Sequence, residues 1–328
     1  MQITNVNFAL GGMNVQTWDP PVPVPEFYLW SWGRNSYGRL GLGNTTDISS
    51  PVQVGALTTW SSIAGGTYHS MAIKTDGTMW SWGNGSSGKL GLGNTTNISS
   101  PVQVGALTTW SKIDAGFQYS MAVKTDGTMW SWGYNAQGQL GLGNTTNISS
   151  PVQIGALTTW LRISAGYNHS LAIKTDGTMW SWGMNPHGQL GLGNLTYRSS
   201  PVQVGALTTW LTIASGSYHS MAIKTDGTMW GLGGRNSNGQ LGLGNTTNYS
   251  SPKQVGALTN WLNIASGSYH NMAIKTDGTM WAWGNSSSGR LGIGNSATVY
   301  VSSPVQVGAL TTWSTVDAGG QHTMAISD

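Results

Sequence analysis

The stretch His69-Ser70-Met71-Ala72-Ile73-Lys74, then Thr75-Asp76-Gly77, then Thr78-Met79-Trp80-Ser81-Trp82-Gly83 decides the fold. Asp-Gly between two runs of β-forming residues is a strong short-range hairpin signal. Met71 and Ile73 alternate with Ser70 and Ala72, while Trp80 and Trp82 share one face, a period of two that belongs to strands and not helices. Trp80 is expected to pack between sheets, and Asn135, in the corresponding downstream segment, to be a loop residue of little consequence for stability.

Working outward, Trp-Ser-Trp-Gly begins at Trp30, Trp80, Trp130 and Trp180, with degenerate copies at Trp230 and Trp281, so the intervals are 50, 50, 50, 50 and 51. A second marker, Trp-x-x-(Ile/Val), begins at Trp60, Trp110, Trp160, Trp210, Trp261 and Trp313. Both occur six times, and a fixed period of this length means a repeat architecture. Extra residues near Gly233-Gly234 and over 295–303 fall in Gly-rich or polar stretches that read as loops. Two further extended candidates, 52–57 and 60–64, bring each unit to four short strands, the content of one propeller blade.

Composition agrees with a single repetitive body and not the two domains that 328 residues would suggest. Gly is 48, Trp 18, Phe 3 and charged residues 8%, against about 25% in an ordinary globular chain, so Ser, Thr, Asn and Gln cover the surface and a charged coiled coil is excluded. No apolar run reaches the roughly 18 residues that span a bilayer, and no Lys or Arg precedes Arg34 to begin a secretory signal. The absence of Cys rules out disulfides and thiolate metal sites. A net charge of +3 with no concentrated basic stripe argues against nucleic acid as a partner.

The run Trp60-x-x-Ile63-Ala64-x-Gly66-x-x-His69-Ser70-x-Ala72, then Asp76-Gly77-x-x-Trp80-x-Trp82-Gly83, then Gly88-x-Leu90-Gly91-x-Gly93-Asn94 and Pro101, resembles the repeat of the regulator of chromosome condensation family. The resemblance extends over about residues 27–328 and implies an all-β propeller. Members of the family are usually seven-bladed, whereas six repeats are counted here. Met324-Ala325-Ile326 aligns with Met71-Ala72-Ile73 and Trp30 with Trp80, so the chain is expected to close a six-bladed ring through a composite blade, two strands from 313–326 and two from 28–57. Closure of that kind removes exposed sheet edges. A seventh blade would have to come from residues 1–26, which match no part of the repeat and hold the polyproline-like linker Asp19-Pro-Pro-Val-Pro-Val-Pro25. Ahead of it Ile3, Phe8, Leu10, Met13, Val15 and Trp18 read as an apolar anchoring arm that gains most by adding as a strand to a protein partner. Plugging the ring is the alternative for that arm.

Candidate chemistry divides the same way at each repeat. His69, His169, His219, His270 and His322, with Tyr119 at the second position, are spread one per blade and cannot bring several nitrogens within about 2.0 to 2.1 Å of one metal ion, so a structural role is expected. Asp76, Asp126, Asp176, Asp226 and Asp277 precede Gly and read as turn residues. Gly88-Lys89-Leu90-Gly91-Leu92-Gly93-Asn94 lacks the order of a phosphate loop and reads as a turn between blade strands. Asn-x-Ser/Thr triplets such as those at Asn44 and Asn94 read as polar loops. Nothing points to a cofactor, a metal or a catalytic constellation, because every candidate recurs in nearly every unit and a catalyst needs one asymmetric site.

The copies differ at two places. One set holds Tyr68, Phe117, Tyr119, Tyr167, Tyr218 and Tyr269 before a hairpin strand; the other holds Arg34, Tyr37, Tyr134, Met184, His187 and Arg235 after its partner. Antiparallel pairing puts both sets on one face, opposite the Asp-Gly turns, and these residue types contact protein or glycan ligands well. The expectation is a non-catalytic binding or structural module that presents this loop face. Its near-identical copies, low charge and apolar start look like repeat propellers of phage particles (tail, fibre or capsid-associated) or of bacterial surfaces, multimeric within an assembly. An enzyme-inhibiting propeller, similar to one that inhibits β-lactamase, is the alternative. Nucleotide exchange on a small GTPase, which the family name implies, requires a protruding β-wedge, and here the copies differ in length by only one or two residues.

Overall fold

The computed structural model describes residues 27–294, 297 and 299–327. The six residues of the expected arm, from Ile3 to Trp18, and the proline linker lie outside the described residues, as does any contribution of 1–26 to a seventh blade.

The architecture is all-β, six repeats of antiparallel strands that form five complete four-stranded blades and a sixth in two halves among the described residues, with single 3-10 turns such as Ser86–Gly88. The strands run β1 (Trp30–Gly33), β2 (Ile48–Gln53), β3 (Trp60–Gly65), β4 (His69–Lys74), β5 (Met79–Gly83) and β6 (Ile98–Gln103). Four more complete sheets follow as β7–β10 (110–153), β11–β14 (160–203), β15–β18 (210–254) and β19–β22 (261–306), and the chain finishes with β23 (Trp313–Ala318) and β24 (Thr323–Ser327). In the first complete blade the order is β3-β4-β5-β6, with Ala72 opposite Trp80 and His69 opposite Gly83.

The hairpin forms for the reason its sequence gives. Asp76 Oδ1 accepts from the Thr78 amide at 2.9 Å and from its hydroxyl at 2.6 Å, which holds the carboxyl below its usual range, and Thr78 Oγ1 in turn accepts from the Trp80 indole at 2.9 Å. Gly77 sits at φ +78, and a Cβ there would come within 2.1 Å of the Thr108 carbonyl oxygen, so only glycine lets the turn touch the next connection.

The core lies between blades. Met71, Ile73, Met79 and Val104 of one blade bury themselves against Trp110, Ala122 and Trp132 of the next, and the same cluster recurs around the molecule. Here the two tryptophans of Trp-Ser-Trp-Gly part company: Trp80 packs against the cluster between blades, as expected, but less deeply than Trp82. Trp82 and its copies Trp132, Trp182 and Trp283 are buried, whereas Trp80 is only half-buried, edge-on to Trp60 at 6.1 Å and with Lys74 Nζ 3.8 Å from its ring centre. Asn135 corrects an expectation. It is fully buried, accepts from the Leu140 amide at 3.0 Å and donates to the Asn144 carbonyl at 3.0 Å, so it organises its loop.

Successive blades are locked by one repeated device. The Lys89 carbonyl, in the Gly-rich crossover, accepts from Ser120 Oγ at 2.8 Å and from Trp132 Nε1 at 2.9 Å, both on the following blade. Because Ser120 spends its proton on that carbonyl, it accepts from His69 Nε2 at 2.8 Å. Gly93 N–H adds a bond to the Ser149 carbonyl at 2.8 Å. The Gly-rich run is therefore more than a turn, since it carries the link between blades. His169 reaches Ser220, His219 reaches Asn271 and His270 reaches Thr323 at 2.9, 2.9 and 3.0 Å, which gives these four histidines the structural role expected of them. The fourth complete blade departs from the pattern. Leu232 stands where the others have tryptophan, and a bulge between the Ser220 and Met221 pairings absorbs the extra glycine.

The sixth blade comes from both ends of the repeat region, as the alignment of Trp30 and Met324 predicts, but its seam is open. β1-β2 and β23-β24 form two separate two-stranded sheets, so the strand pairing expected to close the ring is not made among the described residues. Each half packs on its own neighbour: Leu29 and Val54 against Trp60 and Trp82, Val316 against the cluster of Met272 and Ile274.

Trp82→Ala is expected to cost about 3 to 5 kcal/mol, as for a fully buried aromatic. Asn135→Ala should cost about 1 to 3 kcal/mol because it leaves buried backbone groups unpaired, and Trp80→Ala should cost less than Trp82→Ala. Urea midpoints of the three variants give the order. Trp80→Ala costing as much as Trp82→Ala would contradict the assignment of the core.

Candidate interaction surface

The residue before each β4-type strand emerges at the end of the hairpin opposite the Asp-Gly turn, and there the variable side chains meet. Tyr37 stands edge-on to Tyr68 at 6.2 Å between ring centres, Tyr68 to Phe117 at 5.2 Å, Phe117 stacks on Tyr167 at 3.9 Å, and Tyr167 lies 5.4 Å from Tyr218, which meets His187 at 5.7 Å. Six of the twelve expected residues thus form one uninterrupted arc of rings across successive blades. Tyr134 and Tyr269 stand near it: with Tyr218 and Tyr68 they add to the partial burial that raises the Tyr167 phenol above its ordinary range. Thr67, Phe117 and Tyr167 also line the axial opening, about 140 Å³, around which the glycines at the ends of the inner strands gather.

The arc is bracketed by cations. Arg34 and Arg235 are held through Nε by Ser36 Oγ and Ser237 Oγ, each at 2.9 Å. Partial burial and the nearby Arg235 keep His187 below its usual pKa. Arg39, which the sequence pattern did not single out, lies with its guanidinium carbon 5.2 Å from the Tyr68 ring centre and donates to the Thr67 carbonyl at 2.7 Å. Its signal was visible as another varying position, occupied by Lys89, Gln139, Gln189, Gln240 and Arg290 in the other copies. Lys89 is buried, bonded to Ser86 Oγ at 2.7 Å, and burial lowers its pKa to about 8.

Two expected surface residues are not on the surface. Tyr119 is fully buried; its hydroxyl donates to the His169 carbonyl at 2.5 Å and accepts from Ser170 Oγ at 2.9 Å, so it takes the histidine's place in the link between blades. Met184 is buried as well. Asp114 is the acid most perturbed, raised to about 6 by burial, yet its two oxygens accept from the Ala115 and Ala165 amides at 2.9 and 2.7 Å and join two inner strands. Among the described residues no group of three or more His, Cys, Asp or Glu is placed to hold a metal ion, and no helix is long and apolar enough to cross a membrane.

The model of the regulator of chromosome condensation (RCC1) repeat matches residues 28–73, 76–123, 126–173, 176–223, 226–274 and 277–326. The chain belongs to the RCC1 repeat family. Among curated proteins it is 35% identical over 100 residues to the probable E3 ubiquitin-protein ligase HERC6 of Homo sapiens and 38% identical over 76 residues to protein RCC2 of Mus musculus. Those alignments take in 29% and 23% of this chain, and only 10% and 14% of the relatives' own lengths. Among solved structures, yeast RCC1 (Prp20), crystallised with Kap60, superposes with a TM-score of 0.80 over 98% of this chain and 84% of that one at 19% identity. Human WBSCR16 gives 0.63 over 92% and 99%, also at 19% identity. A second structure of Prp20p, from Saccharomyces cerevisiae, was described with its binding to Gsp1p and histones and gives a TM-score of 0.58 over 92% and 91% at 18% identity. At these identities the likeness is one of fold.

Tyr119→Phe removes the phenol's bonds to the His169 carbonyl and Ser170 Oγ, which keep the Gly166 amide and the Gln139 carbonyl as partners, and is expected to lower stability by about 0.5 to 1.5 kcal/mol. Tyr134→Ala, on the half-exposed rim, should change it by no more than about 0.5 kcal/mol. Thermal or urea unfolding of the two variants separates the buried tyrosine from the surface one, and equal losses would contradict that division.

Proposed function

We propose that the protein is a non-catalytic binding module whose loop face, centred on the arc from Tyr37 to Tyr218, grips a partner protein or glycan. The observation that carries this reading is the arc itself. In repeats that are otherwise close copies, aromatic residues accumulate at the one variable rim and touch ring to ring across blades. Preassembled rings offer large, rigid contact area at low entropic cost, which is what an anchor for binding requires. The opposite face offers less: each Lys74-type ammonium rests on its Trp80-type ring and each Asp76-type carboxylate is committed to its turn. Asp114, the acid with the most perturbed pKa, is likewise spent on backbone amides. A virion or cell-surface setting belongs to the same proposal and is supported by the low charge and the near identity of the copies.

The test uses the full chain as bait in extracts of its source, beside a Tyr68→Ala, Tyr167→Ala, Tyr218→Ala triple variant that melts within a few degrees of it. Loss of two or more anchors should weaken capture at least about 30-fold. The same partners recovered in the same amounts by both baits would sink the proposal.

A further inference from the structure

The face that carries the Asp-Gly turns holds an apolar feature with no part in the aromatic arc. The residue after each Trp60-type tryptophan lies at that end of its inner strand: Trp160 N–H donates to the Gly127 carbonyl of the preceding turn, Trp210 N–H to Gly177 and Trp261 N–H to Gly227, each at 3.1 Å. In three copies this residue is serine, and Ser61, Ser111 and Ser314 turn their hydroxyls back onto the Ile73, Val123 and Ile326 carbonyls of their own blades at 3.0, 3.0 and 3.3 Å. In the other three it is Leu161, Leu211 and Leu262, which have no such bond to make and stand 46%, 38% and 53% exposed. These leucines fall on consecutive blades, and their strands β11, β15 and β19 are neighbours around the axis. Leu57 and its copies, 42% to 53% exposed, add to the same face. Neighbouring apolar side chains exposed together mark a surface that another segment covers.

The chain itself emerges on this face. Phe27 N–H donates to the Thr58 carbonyl at 2.8 Å, and the Phe27 carbonyl accepts from Trp60 N–H at 3.4 Å, in the place that the Gly77 carbonyl takes for Trp110. Phe27, the first described residue, thus stands where the other blades have their Asp-Gly turns. Ahead of it, Met1 to Trp18 contain no Asp, Glu, Lys, Arg or His and offer Ile3, Phe8, Leu10, Met13, Val15 and Trp18. The eight residues between, 19–26, can span about 25 Å at roughly 3.1 Å per residue in the polyproline form. That is reach enough to cross an axis around which the inner strands pack on one another.

We propose that residues 3–18 dock on the turn face of their own propeller, with their apolar side chains over Leu161, Leu211 and Leu262. The match is one of chemistry: an uncharged, apolar segment meets leucines whose ionic neighbours are already paired. Lys174, Lys224 and Lys275 rest on the rings of Trp180, Trp230 and Trp281, and Asp176, Asp226 and Asp277 are bonded within their turns, so covering the leucines leaves no new charge unpaired. Tethering supplies a high local concentration, so a patch too small to hold a free partner holds its own segment. The loop face stays open, and its binding is tested independently.

The absence of cysteine makes the docking directly testable. A Leu10→Cys, Leu211→Cys variant of the full chain, gently oxidised at low concentration, is expected to form a disulfide within one molecule at least about ten times faster than a Leu10→Cys, Ser237→Cys variant, whose second position lies on the loop face. Amide hydrogen exchange over residues 3–18 of the unmodified chain should be at least about ten times slower than in a synthetic peptide of that sequence. A Leu161→Ser, Leu211→Ser, Leu262→Ser variant, with the residue the other copies carry, should lose that protection while its propeller amides keep theirs. Exchange at the peptide's rate in the unmodified chain overturns the proposal. So does protection that survives the triple variant, equal rates for the two cysteine pairs, or a disulfide that forms only between molecules.

Discussion

One carbonyl per repeat, the residue before the Leu-Gly of the crossover, holds this molecule together. At Lys89 it accepts a hydroxyl and an indole from the next blade, and the hydroxyl is thereby oriented to accept from a histidine of the blade before. At Gln240 the donors are Asn271 and Trp283, and at Gln139 Trp182 donates while Ser170 Oγ stands at 2.9 Å, its one proton shared between that carbonyl and the Tyr119 hydroxyl. A carbonyl has two lone pairs, so both are used and neither donor is left unpaired in a desolvated gap. The buried tryptophan does double duty: its ring fills the space between sheets while its N–H fixes how far apart the sheets stand.

That constraint accounts for the electrostatics of the interior. Each histidine donates from Nε2, because the partner hydroxyl has spent its proton on a carbonyl or, at Asn271, the partner is an amide oxygen that only accepts, and burial keeps the ring neutral, lowering the imidazoles of His69, His169 and His270 to about 3 and that of His219 to about 4. Where Tyr119 replaces histidine the same carbonyl and hydroxyl geometry is kept by a phenol, with the donor direction reversed at Ser170. The interior therefore varies little, by Tyr119, Asn271 and Thr323, which keep the link, and by Leu232, which fills the space without the indole bond, whereas the rim varies freely and its aromatic side chains meet there. The division between a locked interior and a free rim is what allows near-identical repeats to carry one distinctive surface.

The repeat, the hairpin and the blade were legible because period and turn chemistry are local: Asp76-Gly77 and the alternation around it need no neighbour to be recognised. The rim was legible in part, since comparison of the copies located Tyr68, Phe117, Tyr167 and Tyr218 on one face. What single positions do across a blade boundary was not. Trp80 and Trp82 share a face of their strand, and only the approach of Trp60 and Lys74 shows which of them remains half exposed. Tyr119 and Met184 look like surface variants in the string, but one lies on the histidine position of the interblade link and both are buried. Asn135 resembles a loop residue until Leu140 and Asn144 are brought back to it. The unpaired seam among the described residues was not legible because β1 and β24 carry the residues that pair in the complete blades.

The most direct measurement is the protonation of the interior histidines. Long-range ¹⁵N correlation spectra at about pH 5, well below the ordinary imidazole pKa of about 6.5, should show His69, His169, His219 and His270 neutral, each with its proton on Nε2. Imidazolium signals, or protons on Nδ1, for these four residues would contradict the link on which the account of the fold rests.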